Sequence, residues 1–184
     1  MRAVLDANVL FPTILREILA DLACAGMFVP LWSARILSEW RHAAARLGAE
    51  ADAVAGAEIA MLTLRFPGAQ MPDDGVAAID LSFPDPDDRH VVEAALAGRA
   101  EVIVTANLRD FPARLLAPLG LRAVHPDALL VQLFHAQPAE VIQALQSARN
   151  KAVALGGGMS MAEMLKRCRL PRLWRAVKVE PGCC

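Results

Sequence analysis

The sequence predicts an α/β protein, a three-layer α/β/α arrangement around a mostly parallel central sheet, with a helical extension at its C-terminal end. Three observations predict it. Val102-Ile103-Val104 is apolar on both faces, the mark of a central strand in a covered parallel sheet. Apolar residues between the strand-like runs recur at helical steps of three and four. Strands that alternate with helices build mostly parallel sheets through right-handed crossovers. The α/β unit is expected over residues 1–125 and the helical extension, with a basic tail, over 126–184.

Taken in order, residues 2–5 (Arg-Ala-Val-Leu) read as a short buried strand running into Asp6-Ala7-Asn8. A helix is expected from about Pro12 to Ala25, with Pro12 at its first position and Ile14, Leu15, Ile18, Leu19 and Leu22 on one buried face. Phe28-Val29-Pro30-Leu31 is a brief extended piece. Ser33 is placed to cap a helix reaching about Leu47, because its hydroxyl can accept a backbone N–H. Another helix spans about 49–65. Pro67, Gly68, Pro72 and Gly75 make the stretch 66–84 loop, with one strand near Ala77–Asp80.

Asp85 caps the next helix, with Pro86 in its first turn and acids where the helix dipole favours them. That helix stops at Gly98, before the strand 102–104. A short helix after Phe111 leads to a last strand at Leu121–Val124. Pro126 and Pro138 each open a further helix, the three glycines 156–158 act as a hinge, and Ser160-Met161-Ala162-Glu163 has the pattern of a capping box.

Composition narrows the function classes. The chain of 184 residues is 55% apolar, enough for a substantial core. It contains no uncharged apolar run of about 18 residues, so no membrane span is expected. Asp6 interrupts the start too early for a signal peptide, and the cytoplasm is the expected location. Cys24, Cys168 and the adjacent Cys183 and Cys184 show no zinc-ligand spacing. The net charge of −1 conceals an asymmetry: residues 1–165 sum to −6, and residues 166–184 to +5. Such a tail suits nucleic-acid phosphates, an acidic protein partner, or the solvated face of a terminal helix.

The chemistry is concentrated in acids. Ligands of open parallel sheets bind beyond the carboxyl ends of the strands. The first strand delivers Asp6 and Asn8 to that edge, and the strand 102–104 delivers Thr105, Asn107 and Asp110. Asp88 shares a helix face with Val91, Val92 and Ala95, whereas Asp87 projects about 100° away toward solvent. Glu39 lies at the margin of a buried face marked by Ile36 and Ala43. Singly, these are ordinary helix-terminal or surface acids. Gathered, they would repel one another unless a hard cation such as Mg²⁺ or Mn²⁺ relieved the crowding.

Three blocks then bear a family resemblance: Val4-Leu5-Asp6-Ala7-Asn8-Val9-Leu10; Ser33 with Ser38-Glu39-Trp40; and Asp85-Pro-Asp-Asp88-Arg-His-Val-Val followed by Val102-Ile-Val-Thr105-Ala-Asn107-Leu-Arg-Asp110-Phe111-Pro112. In order, spacing and context they resemble PIN domains, the nuclease fold of many VapC-like toxins of type II toxin–antitoxin systems, over about residues 1–125. The resemblance implies a metal-dependent endoribonuclease with Asp6, Glu39, Asp88 and Asp110 as catalytic metal ligands for Mg²⁺ or Mn²⁺. It implies that Asn8, Thr105 and Asn107 orient those ligands. Many relatives have Asp where this chain has Asn107, which keeps an oxygen donor but loses its charge. RNA, a small antitoxin protein and a second copy of the chain are the implied partners.

Arg35, Arg89 and Arg109 flank the acids and are candidates for holding the scissile phosphate, or are surface ion-pair partners. The acidity of residues 1–165 argues against a broad duplex-binding face and for a small structured or single-stranded RNA. Among His42, His90, His125 and His135, only His90 adjoins the acids. A haloacid-dehalogenase-type phosphatase would need Asp where Asn8 stands and an earlier lysine than Lys151, Lys166 or Lys178; a response-regulator receiver would also need that lysine, at a strand end. The remaining alternative is a PIN-like module, weak or inactive in catalysis, that binds RNA or a protein.

Overall fold

Arg2–Leu5 forms strand β1, with Ala3, Val4 and Leu5 all buried. It is the middle strand of a five-stranded, all-parallel sheet in the computed structural model, which describes residues 1–73, 83–154, 156 and 158–179. β2 (Val29–Ser33) and β4 (Val102–Val104) flank β1, with β3 (Gln70–Met71) outside β2 and β5 (Arg122–Val124) outside β4. The register places Val4 beside Leu31 on one side and Ile103 on the other. Val4, Leu31 and Ile103 have no exposed surface, as expected of strands covered on both faces. The architecture is the three-layer α/β/α class that the sequence predicts, with additional C-terminal helices.

The described residues divide between two compact units, one of Met1–Phe11 with Phe28–Val124 and the other of Pro12–Met27 with His125–Cys184. The first holds the sheet with helices α1 (Ala7–Leu10), α3 (Ala34–Ala45), α4 (Ala49–Arg65), α5 (Arg89–Ala97) and α6 (Ala113–Leu116). Ser33 caps α3 as its sequence position predicts, its Oγ accepting from Ile36 N at 3.2 Å. Asp85 likewise caps, its Oδ1 accepting from Asp87 N at 2.9 Å, but the first turn it opens (Pro86–Asp88) is 3₁₀ rather than α.

Two small elements differ from the sequence reading. Helix α1 follows Asp6 directly, because the Asp6 carbonyl accepts from Val9 N and Leu10 N. β3 lies inside the stretch read as loop, paired in parallel with Trp32 and Ser33. Two residues are too few to show an alternating pattern, so only the neighbouring strand reveals it. The strand expected near Ala77–Asp80 lies outside the described residues.

Gly98 ends α5 for a reason that periodicity does not show. Its backbone is right-handed (φ −80°), and the left-handed residue is Arg99 (φ 47°). A β-carbon at Gly98 would stand 2.6 Å from Leu31 Cδ1 and 3.0 Å from Met71 Cγ. Any side chain there would force Leu31 and Met71 to shift where the helix end meets β2 and β3.

The second unit is helical: α2 (Thr13–Cys24), α7 (Pro126–Ala136), α8 (Pro138–Ala154), α9 (Met161–Arg167) and α10 (Pro171–Val177). α2 meets α8, and α7 meets both α8 and α10. Ile18, Leu19 and Leu22 of α2, Leu129 and Leu130 of α7, and Leu145 of α8 are almost wholly buried. Ser160 and Glu163 form the capping box that the sequence predicts for α9. Asp127, only 4% exposed, receives Arg172 N and Leu173 N at 2.9 Å, so it satisfies the first N–H groups of α10 from a distant helix. Among the described residues, no helix is long and apolar enough to cross a membrane.

Candidate active site

Asp6 occupies the carboxyl end of β1 because its own N–H still belongs to the sheet, donating to Val104 O at 3.1 Å, while its carbonyl starts α1. The side chain is thereby turned out of the strand register, yet only 5% of the residue is exposed. Its Oδ2 accepts from Thr105 Oγ1 at 2.7 Å and from Asn8 Nδ2 at 2.5 Å. Burial pushes the Asp6 carboxyl above its ordinary range, helped by the charge of Glu39 and opposed by Thr105, the Ala7 N–H and Asn8.

Thr105, wholly buried at the end of β4, ties the neighbouring strand ends together. Its single hydroxyl proton goes to Asp6, and the oxygen accepts from Asn8 Nδ2 at 3.1 Å and Asn107 N at 3.0 Å. Asn8 Oδ1 in turn accepts from Ala106 N at 2.9 Å. Thr105→Val keeps the shape but leaves the Asn107 N–H without this acceptor and Asp6 with one donor fewer. Denaturant unfolding is expected to show a loss of about 1–3 kcal/mol. Unchanged stability would mean that this network contributes nothing.

Asp88 is the most perturbed acid. Partial burial raises its carboxyl to about 7, with further contributions from the charges of Asp6, Asp110 and Asp85 and from a hydrogen bond shared with Asp110. Asp110 also accepts a short hydrogen bond from Asn107 Nδ2. Glu39, on α3, is reached from the other side: its Oε1 is 3.4 Å from Arg35 Nε and 2.9 Å from His90 Nε2. Asp6, Asp88 and Asp110 therefore form one electrostatic cluster, and Glu39 is coupled to it through Asp6. Among the described residues, no three His, Cys, Asp or Glu side chains stand close enough together to hold a metal ion as arranged.

The flanking arginines fall into different settings. Arg35 bridges Glu39 and Asp87, donating from Nη2 to the Asp87 carbonyl and Oδ1 at 3.2 Å each. Asp87 itself is solvent-facing, as its helical position predicts. Arg89 is half-buried, while Arg109 is exposed on the loop that carries Asp110.

Two residues gain weight from the structure. His90 is only 3% exposed, and neither ring nitrogen has a hydrogen-bond partner, the Nε2 contact with Glu39 being out of line. Glu93, on the next turn of α5, is 4% exposed with Oε1 unpaired among the described residues. Its signal was present: flanking Val91, Val92, Ala94 and Ala95 are all buried, so α5 is apolar nearly all round.

All of these features but Asp110 sit within a segment that matches a known family. The model of the PIN domain family matches residues 2–109, more than half of the chain. The chain belongs to the PIN domain family. Over 59 residues, the PIN chain is 46% identical to "Putative ribonuclease VapC50" of Mycobacterium tuberculosis (strain ATCC 25618 / H37Rv). That alignment covers 32% of this PIN protein and 33% of the relative, so it spans about a third of the relative's length. No solved structure matches it.

Proposed function

We propose that this PIN protein is a metal-dependent endoribonuclease that hydrolyses RNA phosphodiester bonds, and that it is the toxin of a toxin–antitoxin pair. The observation that carries the reading is the clustering of Asp6, Asp88 and Asp110 at one partly buried point, where burial first and the neighbouring acids second raise the Asp88 carboxyl to about 7. A fold that keeps such a cluster at the carboxyl edge of a parallel sheet holds charge that a cation would stabilise. The donors are all carboxylate oxygens, which suits Mg²⁺ or Mn²⁺ rather than a soft metal.

Asp6, Glu39, Asp88 and Asp110 are the residues that would hold the ion. When bound, it would supply a water of lowered pKa and charge stabilisation for the leaving oxygen. The chain's own residues prepare that chemistry. Thr105 and Asn8 fix the Asp6 carboxylate, and Arg35 pairs with Glu39 on its margin of α3. Exposed Arg109 is the candidate for meeting the scissile phosphate, with Arg35 and Arg89 beside the acids. A small antitoxin, a homodimer and a cytoplasmic setting complete the proposal.

One observation keeps a second reading in view. Asn107 spends its amide on Asp110, leaving the cluster a charge short of many PIN relatives. Under that reading the chain binds RNA or protein without cutting.

Calorimetric titration of Mn²⁺ and Mg²⁺ separates the two. Binding is expected at millimolar concentration or tighter in the wild type, and none in the Asp6→Asn, Asp88→Asn double variant. A folded wild type that binds neither ion would overturn the nuclease proposal.

A further inference from the structure

The helical unit contains a pocket that the acid cluster does not use. Its volume is about 660 Å³, and its lining includes His125 at the start of α7, Lys166 on α9, Arg169 after it and Trp174 on α10. We propose that this pocket is a single-stranded RNA subsite, with a base stacked on Trp174 and the adjoining phosphate held by Lys166 and Arg169. The choice of RNA rests on the ribonuclease reading above. The pocket itself rests on separate residues.

The pocket's two cations and two carboxylates balance in number but are placed differently. Its two carboxylates are already engaged: Asp127 by the N–H groups of Arg172 and Leu173, and Glu163 by Ser160 N at 2.9 Å and Ser160 Oγ at 2.8 Å. Lys166 and Arg169 are exposed, and neither pairs with a carboxylate among the described residues. His125 Nδ1 accepts from Asp127 N at 3.1 Å, so the neutral ring carries its proton on Nε2 and adds a donor to the lining. Among the described residues, the charged groups of the lining left to meet a ligand are therefore Lys166 and Arg169, with the His125 donor beside them.

Backbone geometry also holds Arg169 there. It adopts φ 57°, the left-handed region that normally favours glycine, at the end of α9. The turn closes with Arg169 N donating to Lys166 O at 3.1 Å and Leu170 N to Leu165 O at 2.9 Å. Glycine would satisfy that turn with less strain, yet the position carries a guanidinium.

Trp174 supplies the flat face. Trp32 and Trp40 are essentially buried, whereas the indole of Trp174 is partly exposed. One aromatic plane with cations beside it matches a nucleotide, whose base stacks and whose phosphate is negative. A docked amphipathic helix would call for a longer groove with several apolar recesses at helical spacing. The volume also falls in the range of about 300–1,000 Å³ typical of pockets for small ligands.

The test is fluorescence anisotropy of a labelled 12-nucleotide single-stranded RNA with the full chain in EDTA, where divalent-dependent cleavage cannot occur. Lys166→Gln/Arg169→Gln is expected to weaken binding and to lower the slope of log K against log salt by about 0.7, the value for one neutralised phosphate of a single strand. Trp174→Ala is expected to weaken binding about tenfold, with Trp174→Phe recovering most of it.

Unchanged affinity and salt slope in the folded double variant would overturn the subsite. So would displacement of the RNA by a leucine-containing polyglutamate peptide at lower concentration than unlabelled RNA, which would make the pocket a protein dock. If the double variant weakens binding but no divalent ion supports cleavage, the subsite stands and the nuclease reading falls. If cleavage occurs and the variant binds normally, only the subsite falls.

Discussion

Asp6→Asn is expected to lower the proposed Mn²⁺-dependent cleavage of a fluorescent RNA by at least about a hundredfold and to leave the protein folded. Loss of residues that merely orient metal ligands typically costs about 10–100-fold, so loss of a ligand itself sets that range as a floor. The fold survives because the donors on Oδ2, from Thr105 and Asn8, can be met equally by an amide oxygen. What the amide cannot provide is the second anionic oxygen. Since burial and Glu39 both disfavour the Asp6 charge, the variant is expected to melt no lower than wild type. A folded Asp6→Asn protein cleaving near the wild-type rate would remove Asp6 from the catalytic set.

Stability of the metal-free protein is expected to fall as pH rises from about 4 to 7. The Asp88 carboxyl lies at about 7 in the folded protein against an ordinary 3.8. Between those values the folded state keeps a proton that the unfolded chain has released, so raising the pH favours unfolding. The loss is complete above about 7. Because Asp88 is only partly buried, solvent screening reduces its share to about 1–2 kcal/mol, or a few degrees in Tm. Asp88→Asn is expected to flatten the dependence, and millimolar Mn²⁺ to restore stability at pH 8 by binding the carboxylates that are charged there. A Tm rising across this window in the metal-free wild type would contradict the crowding of Asp88 with Asp6 and Asp110.

Local signals in this chain were legible because they act over a few residues. Ser33, Asp85 and Ser160 each cap as their positions predict, since a cap needs only its own side chain and an N–H two or three residues on. Asp87 faces solvent while Asp88 is half-buried, an offset that neighbouring helical positions predict although the turn is 3₁₀. Strand-end polarity similarly pointed to Asp6 and Thr105. By contrast, β3 is a two-residue strand that exists only through its pairing with Trp32 and Ser33. Gly98 reads as a helix stop, yet its requirement comes from Leu31 and Met71.

The amino-acid order by itself determined the parallel α/β class, the helix caps and the family motifs, because periodicity, capping and strand-end chemistry are encoded within short windows. Only the tertiary structure decided which groups share an electrostatic environment. It buried His90 against Glu39, used Asp127 to cap α10 from 45 residues away, and grouped α2 with the C-terminal helices. It also raised Asp88, whose shift depends on burial and on Asp6, Asp110 and Asp85 together. Coulomb repulsion and desolvation depend on distance through space, and no sequence separation reports that distance.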